Sequence, residues 1–249
     1  MKVLRALAVP AVLLLAFELY ARQVGAQSDA IAPPSAALRA FGRALADGSL
    51  WQATAFTLGA TALGLLIGAA GGVLLGIVLG LVPRAARASF LSIEVLRPVP
   101  SVALIPLAML VFGFGLTMEV SVIAFATFWP MLVLAQAAAR QIEPRLLEVA
   151  AALQLSPVSR LTQIVIPAML PRLFVALRLG VAIALVVAVT VEIAANPHGM
   201  GYAIMIAQQS LDPALMLAWL FWTGVVGYAI NAGALALQHA ATRRMGALA

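Results

Sequence analysis

Long apolar runs separated by short polar breaks dominate the chain. They fill positions 3–20, 57–82, 102–114, 121–139, 173–195 and 214–237, and they are continuous, not alternating. A helix crossing a bilayer needs about 20 consecutive apolar residues, whereas a membrane barrel is built from alternating segments about ten residues long. The pattern therefore predicts an all-α, polytopic membrane protein with about six transmembrane helices. The run at 102–114 is short for a span and has Pro106 near its start. It is expected to extend, tilt or break. The first run has a rival reading as a cleaved signal peptide, because Val24-Gly25-Ala26 offers a small-residue cleavage site. Glu18 and Arg22 crowd that site and favour retention as an anchor.

The polar breaks set the organisation. Residues 1–50 form an N-terminal unit: an anchor followed by an extramembrane loop, in which Pro33-Pro34 leads into an amphipathic run at 35–45. Such a run suits a helix lying in the membrane interface. Residues 51–249 form the core, with its longest polar interruption at 140–172. A connector at 89–101 carries Glu94, Arg97, Pro98 and Pro100, Glu119 marks a turn before the fourth span, and 196–213 reads as a turn-rich loop. Within the second span, Gly64, Gly68, Gly72, Gly76 and Gly80 recur every fourth residue and make one ridge along a helix. Glycine weakens a helix interior, so a ridge of it predicts close approach of a neighbouring helix.

Composition removes several classes. Hydrophobic residues make up 64%, charged residues 10%, and mean hydropathy is +1.08. A soluble domain of this size carries about a quarter charged residues, so lipid must be the main solvent here. The net charge of +6 comes from basic residues standing singly between apolar runs, with no basic stripe for nucleic acid. With the N-terminus inside, Lys2, Arg5, Arg84, Arg87, Arg97, Arg140, Arg145, Arg160, Arg172, Arg178, Arg243 and Arg244 fall on the cytoplasmic side, against Arg22, Arg39 and Arg43 opposite. Twelve against three predicts cytoplasmic termini and a cytoplasmic 140–172 loop.

Cysteine is absent, and His198 and His239 have no metal-ligand spacing, so neither a catalytic nor a metal site is expected. The only lysine is Lys2, which excludes a phosphate-cradling P-loop. An ion-coupled carrier would place ionisable groups at mid-membrane, but the acids within spans, Glu18 and Glu192, stand near span ends. An intramembrane enzyme would need a nucleophile–base pair, and none is spaced for it. Glu192 either reaches water at the end of its span or lines a pathway, for which Trp129 and Pro130 are the other candidates. Arg178 is expected to snorkel to the cytoplasm.

The 140–172 loop reads as two short helices joined by a tight turn. Pro144 suits a first helical position, Ser156-Pro157 is a second start signal, and Pro167 is expected to end the second helix. Glu148-Val149-Ala150, then Gln154, then nine residues to Ile164-Val165-Ile166-Pro167, resembles the cytoplasmic signature of ABC importer permeases. That signature is Glu-Ala-Ala, three residues, glycine, nine residues, Ile-x-Leu-Pro. Arg97-Pro98-Val99-Pro100-Ser101, Phe112-Gly113-Phe114-Gly115, and Glu192 with Gly199-Met200-Gly201-Tyr202 resemble the branch serving nitrate, sulfonate and taurine uptake. Two departures stand out: Gln154 replaces the glycine, and an arginine frequent early in the second span is missing.

The resemblance implies a type I importer permease fold, with two copies, as a homodimer, lining one pathway. It implies two separate ATPase subunits, which bind the ATP and magnesium, and a soluble binding protein that delivers substrate. The segment bearing Glu148, Val149, Ala150, Gln154, Leu155, Ser156 and Pro157, with Ile164, Ile166 and Pro167 behind it, would be the element that couples to the ATPase. No cofactor is implied in this chain itself.

Overall fold

The computed structural model describes residues 2–24 and 31–246, and among these every regular element is helical. Gly25 and Ala26 of the cleavage signal lie outside the described residues. The order is α1 (Lys2–Val24), α2 (Pro34–Ala46), α3 (Ser49–Leu81), α4 (Pro83–Leu96), a 3-10 turn (Ser101–Leu104), α5 (Ile105–Phe112) and α6 (Leu116–Arg140). Then come α7 (Pro144–Ala152), α8 (Pro157–Arg160), a π-turn (Leu161–Val165), α9 (Ile166–Ala194), α10 (Gly199–Gln209) and α11 (Pro213–Gly246).

The α3–α6 pair organises the bundle. Gly64, Gly68, Gly72 and Gly76 are buried against α6, and Gly80 meets Ala139. A methyl group built on Gly72 would come within 2.5 Å of the Phe128 carbonyl oxygen, and one on Gly76 within 2.5 Å of that of Leu132. The helices touch backbone to backbone, which only glycine permits. Their contacts climb together, from Gly64 at Ile123 to Gly80 at Ala139, so α3 and α6 run parallel.

Parallel packing forces the chain between them to return the length of α6. α3 stops at Pro83, whose ring pushes Val82 into extended backbone, φ −116°, and Pro83 then opens α4. α4 and the 101–112 segment meet at a bend of 81°. The 3-10 turn and α5 together rise only about 20 Å, short of a bilayer core of about 30 Å. The short third run therefore does not cross alone; with α4 it forms a bent pair, the geometry of a broken span or a re-entrant segment. Gly113 and Gly115, at φ +72° and +110°, make the turn into α6.

Four helical stretches among the described residues are long and apolar enough to cross a membrane, and the bent pair makes a fifth if it counts as one span. The described residues thus give four spans, or five with the bent pair, against the six expected. α1, the expected first span, is a helix of 23 residues packed beside α2. Its Glu18 accepts hydrogen bonds from the Ser35 amide at 2.9 Å and from the Ser35 hydroxyl at 2.7 Å.

Three local expectations are corrected. Pro167 does not end a helix: residues Pro157–Ala194 form one continuous 38-residue stretch. The π-turn at 161–165 widens the helix just where a proline ring would strike the carbonyl four residues back. The 196–213 segment is not a plain loop but contains α10. Arg178 does not reach away from the bundle; its Nε donates to Asn231 Oδ1 on α11 at 3.2 Å.

Candidate functional site

The 140–172 segment folds as a hairpin at the Ala139 end of the bundle. Glu143 precedes Pro144, which takes the first position of α7. The helix closes through paired bonds, Leu155 N–H to the Ala150 carbonyl and Gln154 N–H to that of Ala151, each at 3.0 Å. This is a Schellman closure, whose penultimate residue must be left-handed. Gln154 occupies that place at φ +51°. The glutamine therefore accepts the backbone conformation that glycine would adopt freely, and the turn is retained. Ser156 restarts the helix: its Oγ accepts from the Ser159 amide at 3.2 Å, and Pro157 follows.

The two sides of the hairpin differ. Leu147, Leu161 and Val165 pack with Ile77, Ala138, Ala139 and Ile142 at the ends of α3 and α6. Ala150 is buried, while Leu155, Ile164 and Ile166 are half-buried. Glu148, Val149, Gln154, Ser156, Pro157 and Pro167 are exposed, and Leu153 and Val158 beside the turn are 65% and 71% exposed. The hairpin thus has an anchored face and a free, partly apolar tip.

At the opposite end of α3 and α6 lies a buried polar junction. Glu119 and Glu192 are each 0% exposed, and their carboxyl groups interact. Thr57 donates to Glu192 Oε1 at 2.7 Å and accepts from the Met200 amide at 3.0 Å; the Gly201 amide donates to Glu192 Oε2 at 2.8 Å. Asn196 Nδ2 donates to Glu119 Oε2. The Met200 and Gly201 amides are among the donors that the start of α10 leaves without helical partners, so α3 and α9 cap α10 from outside. Gly199 stands at φ +91° against the Glu192 carboxylate, where a side chain has neither the backbone freedom nor the space. This explains the Gly199-Met200-Gly201 spelling.

Glu192 accordingly reaches neither bulk water nor an open lumen in this protomer. Glu119, taken from the sequence as a turn marker, lies inside α6 and is the residue that sequence reasoning missed. The signal was available: a lone acid bounded by apolar residues in a membrane chain is a functional candidate by default. Thr57 and Asn196 carried no such signal.

Trp129 and Pro130 sit elsewhere, on the wall of a cavity of about 460 Å³ between the α4–α5 break, α6 and α9. Pro130 stays within α6. Phe125 and Phe128 pack edge-on against Trp129, with ring centroids at 5.6 and 5.0 Å, and the buried Trp129 Nε1–H has no hydrogen-bond partner. Arg97 also lines this cavity. It lies level with the middle of α6 and α9, not at the cytoplasmic end where the charge count put it. Three sets of candidate residues thus occupy three places: the hairpin, the junction and the cavity.

Comparison with known proteins places this geometry. The family described as "Binding-protein-dependent transport system inner membrane component" matches residues 72–247. The chain is 29% identical to an aliphatic sulfonates transport permease of Bacillus subtilis (strain 168), over 90% of this chain and 81% of that one. It is 29% identical to the taurine transport system permease TauC of Escherichia coli (strain K12), over 79% and 71% respectively. It is 31% identical to the nitrate import permease NrtB of Synechococcus elongatus, over 68% and 62%. Among solved structures, the methionine ABC transporter MetNI in an inward-facing conformation superposes with a TM-score of 0.66. That match covers 74% of this chain and 92% of the other at 17% identity, so it bears on the fold alone.

Proposed function

The chain belongs to the binding-protein-dependent transport system inner membrane component family, and from that premise we propose what it carries and how it is driven. It is the permease subunit of an ABC importer, a multi-pass inner-membrane transport protein and not an enzyme. The proposed solute is a small anion of the kind named for its relatives: a sulfonate such as taurine, or nitrate. The proposed assembly is two copies of this chain, two ATPase subunits that bind ATP and magnesium, and a binding protein on the far side of the membrane. The charge asymmetry of the loops supports cytoplasmic termini and a cytoplasmic hairpin.

The observation that carries this reading is the hairpin. Its tip, with Glu148, Val149, Leu153 and Val158, is exposed, while Leu147, Leu161 and Val165 are anchored to α3 and α6. α8 runs without a break into α9, so a displacement of the tip is delivered to a 38-residue helix and not absorbed in a loop. A rigid element of this kind is what a two-state transporter needs between motor and pathway.

Glu148→Arg tests the assignment. Glu148 is exposed and makes no ion pair among the described residues, so the reversal should change the chain's own stability by about 0.5 kcal/mol or less. The variant should insert and assemble, yet ATP-driven uptake in proteoliposomes with the ATPase and binding protein should fall at least about tenfold, as for a misplaced charge in a docked surface. In this cysteine-free chain, Ser156→Cys should crosslink to a cysteine placed in the ATPase. Normal uptake by Glu148→Arg, with no crosslink at position 156, would reduce the hairpin to a linker.

A further inference from the structure

We propose that Arg97, Ser101 and the indole of Trp129 form the element of the translocation pathway that recognises the anion, in the cavity bounded by the α4–α5 break, α6 and α9. This rests on the permease reading above and assigns residues to its solute.

The first support is depth. The cavity wall includes Phe125 and Trp129 on α6 and Ile183 and Val187 on α9, residues near the middle of those helices. The bent pair makes this possible: the 81° bend brings residues 97–101 to that level instead of leaving them in a loop. Mid-depth lies about 15 Å from either headgroup layer, too far for an arginine to be explained as an interfacial anchor. An arginine there marks a functional site by default.

The second support is the chemistry of the wall. Arg97 is its only charged member, and the rest is apolar apart from Ser101 and Trp129. The guanidinium and the indole N–H can only donate, and a hydroxyl can donate too. No carboxylate lines the cavity. Glu94 lies 3.6 Å from Arg97 on the same helical turn, but both side chains are about half exposed, at 45% and 47%, so the pair leaves donors free. The buried Trp129 Nε1–H has no acceptor, and a donor in that state awaits one. A ligand made of acceptor oxygens around a negative charge, as in nitrate or a sulfonate, suits Arg97 and Ser101 directly and the Trp129 N–H, covered in this structure, once the ring turns toward the cavity; the depth argues against a lipid phosphate.

The test uses the complete transporter, reconstituted with its ATPase and binding protein, with nitrate, taurine and ethanesulfonate as probes. Wild-type ATP-dependent uptake of at least one probe is the baseline. If wild type carries none of them, the anion reading itself fails, separately from the site. Given that baseline, Arg97→Gln should cut uptake by about tenfold or more, and Arg97→Lys, which keeps the charge, should lose less. Trp129→Phe keeps an aromatic ring against Phe125 and removes the donor together with part of the indole's volume. It should assemble normally, lower uptake about threefold or more, and change the ratio among the three anions. The proposal is overturned if Arg97→Gln and Trp129→Phe both carry the anion within about twofold of wild type, a difference too small for a lost hydrogen bond to a charged ligand. It is equally overturned if Arg97→Lys is as defective as Arg97→Gln while Trp129→Phe leaves the anion ratio unchanged, because Arg97 would then be a packing residue.

Discussion

The two ends of the α3–α6 pair are built from opposite materials. At the Glu119 end, Thr57, Glu119, Glu192 and Asn196 join α3, α6, α9 and the start of α10 through buried hydrogen bonds. At the Ala139 end, Ile77, Ala138, Ala139 and Ile142 hold the hairpin through apolar contact with Leu147, Leu161 and Val165. Hydrogen bonds are directional, and a buried group left without a partner costs free energy, so the first end has few acceptable geometries. Apolar contact is non-directional, so the second end tolerates small sliding. The glycine ridge joins the two ends as one stiff rod. A load applied at the hairpin therefore meets a compliant joint first and a fixed one last, which suits an element that passes motion on without dismantling the bundle.

The largest expected effect tests the rod itself. Gly72→Leu puts a branched side chain where even a methyl group meets the Phe128 carbonyl oxygen at 2.5 Å, so α3 and α6 must part along their length. A cost of about 3 kcal/mol or more is expected, enough to abolish assembly as judged by size-exclusion chromatography of the solubilised protein. Gly59→Ala is the control, since nothing lies within 4 Å of its new methyl group. It should be neutral or stabilising by about 0.5 kcal/mol. Equal behaviour of the two variants would mean the ridge does not hold the pair together.

The next effect separates the two ends. Glu192→Leu strips the Gly201 amide of its acceptor and leaves the Thr57 hydroxyl only the Ala53 carbonyl, at an expected cost of about 2–4 kcal/mol, whereas Leu161→Ala trims a half-buried contact for about 1–2 kcal/mol. Thermal unfolding in detergent would rank them. If Leu161→Ala proves the worse, the fixed joint has been put at the wrong end.

The smallest effect is a gain. Gln154→Gly relieves a left-handed residue in the Schellman turn and should stabilise the hairpin by about 1 kcal/mol. Reduced protease cleavage near residue 154 would register it. Uptake should be unchanged, because the turn already has its final shape.

The sequence by itself determined whatever depends on solvent and local period. Continuous apolar runs in lipid must become helices, and the four-residue glycine spacing becomes a ridge whatever its neighbour. A Pro144 start and a Ser156-Pro157 restart likewise make a hairpin without help from the rest of the chain. Glu148, Val149 and Ala150 fall on that hairpin as their spacing implied. Only the tertiary structure decided what depends on which helices meet. The chain returning between the parallel α3 and α6 bends by 81°, and the bend sets Arg97 beside the middle of the bundle and not at the expected cytoplasmic end. Burial of Glu119 against Glu192 likewise needs three helices to converge, so a residue spelled like a turn marker becomes part of the core. Local pattern encodes the state of each segment. The depth and partners of a polar side chain are properties of the contact between segments, which no single stretch of sequence contains.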